Sequence, residues 1–279
     1  MKKSNVFPMS RTLHRMVIVL VFLTLNAFFF TSVYLVFFRV TPTCFDGVQN
    51  QNERGADCGG VCATMCIEIV TGKDFQTKEL VFVPGGTNMF DVLGRVYNAN
   101  DEIGASSFRY TFELKDGSGQ VLLTRTGQNF ILPHQEKNLI ESNLETTDSP
   151  ASVTLTFRDI VWEKASGYQE VPRVIIYQKQ YNPVTNGFGF SEATGLLTNE
   201  SPYDFRSIGI DVILRDQAGK PLAFNKTRQN TVKAGESRDF KLIWPKPFPG
   251  TVERVDMEID ADVYHSENFM KQYFPGGQY

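Results

Sequence analysis

Residues 108–116 read Phe108-Arg109-Tyr110-Thr111-Phe112-Glu113-Leu114-Lys115-Asp116, and one hundred residues later Ile208, Ile210, Val212 and Leu214 lead to Asp216 in the same rhythm. In an extended chain successive side chains point to opposite faces. Phe108, Tyr110, Phe112 and Leu114 therefore share one face, and charged or polar groups take the other. That alternation is the pattern of a strand with one side on a core and the other in water.

The surroundings of the two stretches repeat as well. Gly94-x-Val96-x-Asn98 is echoed by Gly195-x-Leu197-x-Asn199, and the turn Asp116-Gly117-Ser118-Gly119 by Asp216-Gln217-Ala218-Gly219. Thr126-x-Gln128-Asn129 returns as Thr227-x-Gln229-Asn230, and Lys137-x-Leu139 as Arg238-x-Phe240. A constant offset of 100–101 residues across separate features means two copies of one β domain. Roughly seven short strands in about 95 residues, with no helix-period segment, fit a two-sheet sandwich. The fold class expected is all-β: two tandem immunoglobulin-like β-sandwich domains plus one N-terminal transmembrane α-helix.

That helix is read from Met16 to Phe38, 23 residues without a charge. At 1.5 Å per residue it reaches roughly 34 Å, enough for a hydrocarbon core of ~30 Å. Lys2, Lys3, Arg11 and Arg15 precede it with no acid among them, while Arg39, Asp46, Glu53 and Asp57 follow. This asymmetry keeps the N-terminus in the cytoplasm and sends the remainder out. A cleaved signal peptide is the competing reading, but its apolar region is shorter and ends in small residues. The chain carries −3, so removing the +4 of residues 1–15 leaves −7, which argues against nucleic acid or an anionic lipid surface as a partner. The organisation expected is a cytoplasmic tail at 1–15, an anchor at 16–38 and a disulfide-bonded stalk at 39–77. Sandwiches follow at 78–165 and 172–268, with a polar linker of few contacts at 166–171 and a tail at 269–279.

Cys44, Cys58, Cys62 and Cys66 are the only cysteines. Outside the cytoplasm an even, clustered set reads as two bridges, with three pairings open. Zinc is a weaker reading, because structural zinc sites present two short-spaced ligand pairs. Asp46, Asn50, Glu53 and Asp57 offer hard oxygens for a cation such as calcium, but the spacing departs from the EF-hand loop at Val48 and Gln51. The alternative is that they bond to their own backbone in tight turns.

Cys44, Asp46, Gly47, Asn50, Glu53, Gly55, Asp57, Cys58, Gly59, Gly60 and Cys62 fit C-x-D-G-x-x-N-x-x-E-x-G-x-D-C-G-G-x-C. This resembles a small cysteine module of bacterial surface proteins, which implies a stalk and no chemistry. Phe112-Glu113-Leu114-Lys115-Asp116 and Val212-Ile213-Leu214-Arg215-Asp216, each after a G-x-V/L-x-N strand, resemble the FxLYD domain, related to the late-embryogenesis-abundant type 2 sandwiches. Both copies depart from it at the tyrosine, replaced by Lys115 and Arg215, and the second has Val212 for phenylalanine. The resemblance implies an extracytoplasmic sandwich without known catalytic activity.

No phosphate loop, G-x-S-x-G or H-E-x-x-H occurs, and His14, His134 and His265 stand apart from ligand partners in the sequence. No enzyme activity and no cofactor are expected. Asp256, Glu258, Asp260 and Asp262 alternate along one strand; four acids on one face could bind cations or a basic partner, but they read first as a solvated outer face, with Arg215 or Lys241 as candidate neighbours. Pro245, Pro247 and Pro249 stiffen the connection after Trp244. Asn26 is either tolerated in its helix or pairs two helices. Phe269, Tyr273, Phe274 and Tyr279 either cover the second core or form an exposed tail. The function expected is that of a single-pass envelope protein binding an unspecified protein or surface. The alternative is an accessory subunit of a secretion, pilus or transporter assembly; a metal-handling or enzymatic role ranks last.

Overall fold

The computed structural model describes residues 10–38, 43–66, 70–165, 167–168 and 171–274. Lys2, Lys3, Arg39, linker residues 166, 169 and 170, and the end of the tail at 275–279 lie outside the described residues. The chain divides into two units, Met1–Ile69 and Val70–Tyr279.

In the first unit, helix α1 (Arg11–Val33) starts at Ser10, whose hydroxyl accepts the Leu13 N–H at 3.3 Å. It continues into a π-helical turn, Tyr34–Phe38. Arg11–Phe37, 27 residues, is long and apolar enough to cross a membrane by length and composition. Its polar side chains bond back to their own helix: Thr24 to Val21 O at 2.9 Å, Asn26 to Phe22 O at 2.8 Å and Thr31 to Ala27 O at 2.7 Å. The Asn26 amide donor is thus satisfied without a second helix.

The second unit holds twelve strands in four three-stranded antiparallel sheets. The first six are β1 (Gln76–Gly86), β2 (Met89–Tyr97), β3 (Ile103–Lys115), β4 (Val121–Ile131), β5 (Glu136–Glu145) and β6 (Ser152–Lys164). The second six are β7 (Val174–Pro183), β8 (Ser191–Asn199), β9 (Phe205–Arg215), β10 (Pro221–Val232), β11 (Ser237–Trp244) and β12 (Arg254–Ala261). Sheet β1-β2-β5 faces sheet β4-β3-β6, and β11-β8-β7 faces β10-β9-β12. The second set repeats the first strand for strand: β3 and β9 are both central, flanked by β4 and β6 or by β10 and β12. Each copy has six strands of 8–13 residues, not the seven short ones expected.

The alternating faces form the two cores. Phe108, Phe112 and Leu114 are fully buried in the first, and Ile208, Ile210, Val212 and Leu214 in the second. Gly94 and Gly195 make room for aromatic rings. A Cβ on Gly94 would lie 3.1 Å from Phe112 Cε1, and one on Gly195 would lie 2.8 Å from Phe240 Cε1.

Asn98 and Asn199 are fully buried and make matching bonds. Asn98 donates to Ile103 O at 2.8 Å and Leu132 O at 3.0 Å, and accepts from the Asn100 N–H at 3.1 Å. Asn199 donates to Tyr203 O at 2.7 Å and Lys233 O at 3.0 Å, and accepts from the Ser201 N–H at 3.1 Å. Each asparagine ties the loop that switches between sheets to the loop that returns.

The ends of each copy reach beyond the expected borders. Phe75, placed in the stalk by sequence, packs edge-on to Phe108, Phe157 and Trp162 in the first core. Helix α2 (Glu267–Tyr273), which the β-rich pattern gave no reason to expect, lays Phe269, Met270 and Phe274 into the second. Residues 269–274 therefore cover that core.

A third apolar cluster joins the copies. Val83, Leu93 and Ile140 from the outer face of β1-β2-β5 meet Ile213 and Phe224 from the outer face of β10-β9-β12. The unit is thus four stacked sheets, and the expectation of few contacts between the copies gives way to a packed interface.

Phe112→Ala should destabilise the protein by about 3–5 kcal/mol through lost transfer energy plus a cavity. Val212→Ala should cost less, because less volume is removed. Urea unfolding of residues 70–279, followed by intrinsic fluorescence, measures both.

Candidate functional site

The cysteine module pairs Cys44 with Cys62 and Cys58 with Cys66, with Cα–Cα distances of 5.6 Å and 4.9 Å. Both lie in the ordinary range for a disulfide. Of the three open pairings the structure selects this one. Gly60 has φ +61°, and a Cβ there would sit 1.9 Å from Asn52 O, so only glycine fits.

The candidate cation ligands come together, but their carboxylates face the module's own backbone. Asp57 accepts the N–H groups of Asp46 and Gly47, each at 2.8 Å. Glu53, buried, accepts those of Asn50 at 3.0 Å and Asp57 at 3.3 Å. Asp46 accepts from Thr43 and Val48 at 3.0 Å and from the Asn50 amide at 3.1 Å; the Thr43 N–H, then Asn50, hold its carboxyl below the usual range. Among the described residues, three possible ligand atoms lie within 4.8 Å of one another only at Cys44, Glu53 and Cys62. Two of those are sulfurs of one bridge. The 3.0 Å approach of Glu53 Oε1 to Cys62 Sγ is a contact only, since a bridged sulfur has no proton to donate.

The acidic strand is not the solvated face its alternation suggests. Met257, Ala261 and Val263 point into the second core as expected, and the acids meet bases at the interface. Arg215 Nε donates to Asp256 at 2.7 Å, while its two terminal nitrogens grip both oxygens of Glu79 in β1 at 2.8 Å. Arg95 of β2 bonds to Glu258, which also accepts from Asn138 at 2.6 Å. Lys137 Nζ donates to Asp260 at 2.6 Å and lies 3.2 Å from the centroid of Phe130. The physical reason for the difference is that Glu258 and Asp260 find their bases, Arg95 and Lys137, in the other copy, while Asp256 takes Arg215 of its own, one of the neighbours expected. Hydrogen bonding to Arg215 lowers the Glu79 pKa, whereas burial pushes Lys137 down against the pull of Asp260.

Past these pairs the interface opens into a cleft of about 670 Å³, lined among others by Gln128, Asn138, Ser207, Asp211, Lys226 and Arg228. Asp211 lies opposite Lys226 on β10 and Glu258 on β12. Lys226 turns away, however, donating to Ile140 O at 2.6 Å with Glu141 Oε1 3.7 Å off. Burial, then the charge of Asp260, raises the Asp211 carboxyl to about 7, with Lys226 and Lys137 opposing. The cleft thus lies at the boundary of the two copies with acidic, basic and amide side chains on its walls. Sequence reasoning passed over Asp211 and Lys226, since each alone looks like an ordinary outward residue. The signal available was Ile213 and Phe224, apolar side chains on faces reserved for water.

Two histidines do have acidic neighbours in space. His134 Nε2 lies 3.1 Å from Asp101, and His265 Nδ1 lies 2.8 Å from Asp262, a pairing three residues apart that the motif search passed over.

No protein-family model matches the chain, and no curated protein matches it. Among solved structures it is similar to the crystal structure of red sea bream transglutaminase, at 14% identity and a TM-score of 0.23. The match covers 69% of this chain and 29% of that one, and at this level neither fold nor activity carries across.

Arg215→Ala should cost on the order of 3–5 kcal/mol, because Glu79 would lose the guanidinium that grips both its oxygens and Asp256 would keep only Arg254. Arg215→Lys should recover only part, since an ammonium cannot grip Glu79 through both oxygens. Chemical denaturation of residues 70–279 measures both.

For Asp211 the folded pKa lies above the unfolded one, so the folded chain holds the extra proton between about pH 4 and 7. Its effect is absent below that window, and it destabilises progressively as pH rises through it. Asp211→Asn should therefore leave stability unchanged near pH 3.5 and raise it at pH 8, by at most about 4 kcal/mol. Denaturation of both proteins across pH 3.5–8 tests the sign.

Proposed function

We propose that this is a single-pass, membrane-anchored cell-envelope protein, with its N-terminus inside and its β unit outside. Its role is binding or scaffolding, not catalysis. The observation carrying this reading is the order of parts: an apolar helix long enough to cross a bilayer, a disulfide-bonded module, then stacked β-sandwiches. Disulfides suit an oxidising compartment. The basic flank of Arg11 and Arg15, with Lys2 and Lys3 before it, favours an inside N-terminus. Both sandwiches are read as FxLYD-like, supported by the repeated central strands β3 and β9 and by the matching strand order. The polar interdomain cleft is the place for a ligand.

Protease added to spheroplasts should remove a tag placed at the C-terminus and spare one at the N-terminus. Protection of the C-terminal tag in intact spheroplasts, lost on lysis, would overturn the orientation.

A further inference from the structure

The cysteine module exposes its large apolar side chains. Its buried residues are Glu53 and the bridged Cys62, while its large apolar side chains face outward: Phe45 is 89% exposed, Met65 87%, Val61 62% and Val48 57%. Four side chains exposed to this degree, in a described segment running only from residue 43 to 66, exceed the scattered apolar exposure of ordinary surfaces.

Three of them flank the bridged cysteines in the chain. Phe45 and Val61 each adjoin a half of the Cys44–Cys62 bridge, whose Cα atoms are 5.6 Å apart, and Met65 adjoins the Cys58–Cys66 bridge. Backbone N–H groups donate to the carboxylates of Asp46, Glu53 and Asp57, which turns these acids toward the module's own backbone and leaves the large apolar side chains exposed.

Position decides what covers them. The apolar helix runs through Phe37, and the module begins at Thr43. Seven residues from Phe38 to Phe45 span at most about 25 Å when fully extended. With α1 across a bilayer, the module stays within about 25 Å of the hydrocarbon and within reach of the headgroup layer, where aromatic and aliphatic side chains gain by partitioning among lipid headgroups and upper acyl chains.

We propose that the module is a lipid-contacting collar: Phe45, Val48, Val61 and Met65 sit in the outer interfacial layer of the bilayer that α1 crosses. This rests on the membrane-anchor reading above. The collar would fix the height and tilt at which the chain leaves the bilayer, in place of a free stalk.

Methionine methyl groups provide the test. The full chain, labelled with [¹³C-methyl]methionine, is placed in lipid nanodiscs, and Met16, Met65, Met257 and Met270 are assigned by single substitution to leucine. A lipid carrying a nitroxide near its headgroup should broaden the Met65 methyl by more than half. A soluble gadolinium chelate should leave it largely intact. Met257 and Met270, in the second core, serve as the unaffected reference. Phe45→Ser combined with Val61→Ser should restore most of the Met65 signal beside the nitroxide lipid.

Met65 broadened by the soluble chelate and not by the lipid would mean a free stalk and overturn the proposal. Protection from both agents would mean that protein covers the module, and would overturn it equally. Met16, at the opposite end of the anchor, lies at the other headgroup layer and is read with the same headgroup nitroxide, so it reports on the anchor separately. Its broadening with an unaffected Met65 sinks the collar alone, whereas a Met16 untouched by lipid sinks the anchor and the collar together.

Discussion

Arg215 is the constraint around which the second unit is arranged. Its side chain is 5% exposed and still charged, a state that costs several kcal/mol unless nearly every donor is satisfied. Four donations do so: Nε to Asp256, two to the oxygens of Glu79, and one to Gly219 O at 3.0 Å. The last holds the turn after β9 and the first holds β12. The pair to Glu79 reaches into the other copy. A planar guanidinium presents its donors in a fixed fork, so this contact sets orientation as well as distance. Binding to Glu79 also raises the Arg215 pKa further, against the effect of burial, so the charge persists at any working pH.

The remaining pairs turn orientation into register. At Arg215 the base belongs to the second copy and the acid to the first. At Arg95–Glu258 and Lys137–Asp260 the first copy supplies the base and the second the acid. Because the polarity reverses along the interface, sliding the sheets until Glu79 faced Glu258 would set like charges together. Apolar contact among Val83, Leu93, Ile140, Ile213 and Phe224 is non-directional and would tolerate such a slip. The dry cluster supplies adhesion, and the ion pairs choose one alignment.

What was legible in the chain follows the range of the interactions. Alternation at 108–116 and its echo at 208–216 reports which face of a strand is buried, a relation spanning a few residues. The repeated Asn98 and Asn199 could be matched for the same reason. The interface pairs join residues 120–163 apart, and no local pattern links Glu79 to Arg215 or Arg95 to Glu258. Asp256, Glu258 and Asp260 carry the same alternation whether water or arginine faces them, so the sequence favoured water. Arg215 itself was visible at the end of the second alternating stretch, but its consequence depends on a strand beginning at Gln76. Helix α2 escaped because seven residues carry less than two periods of helical pattern.

The cleft then has a physical cause. Pairing across the interface holds only as long as each buried acid finds a base. Asp256 has Arg215 and Arg254, Glu258 has Arg95, and Asp260 has Lys137. Next to them stands Asp211, and the base opposite it, Lys226, is drawn off to Ile140 O and the Glu141 carboxylate. Glu141 is itself held by Tyr110 at 2.7 Å and Arg125 at 2.8 Å, which fixes the carboxylate toward which Lys226 is drawn. Burial already raises the Asp211 carboxyl to about 7 with Lys226 and Lys137 opposing, so closing the sheets further over it would deepen the cost of its charge or hold it protonated. That cost opposes closure of the sheets at Asp211. The opening lies beside the acid whose facing base is turned to another partner, and Lys226 and Arg228 line it together with Asp211.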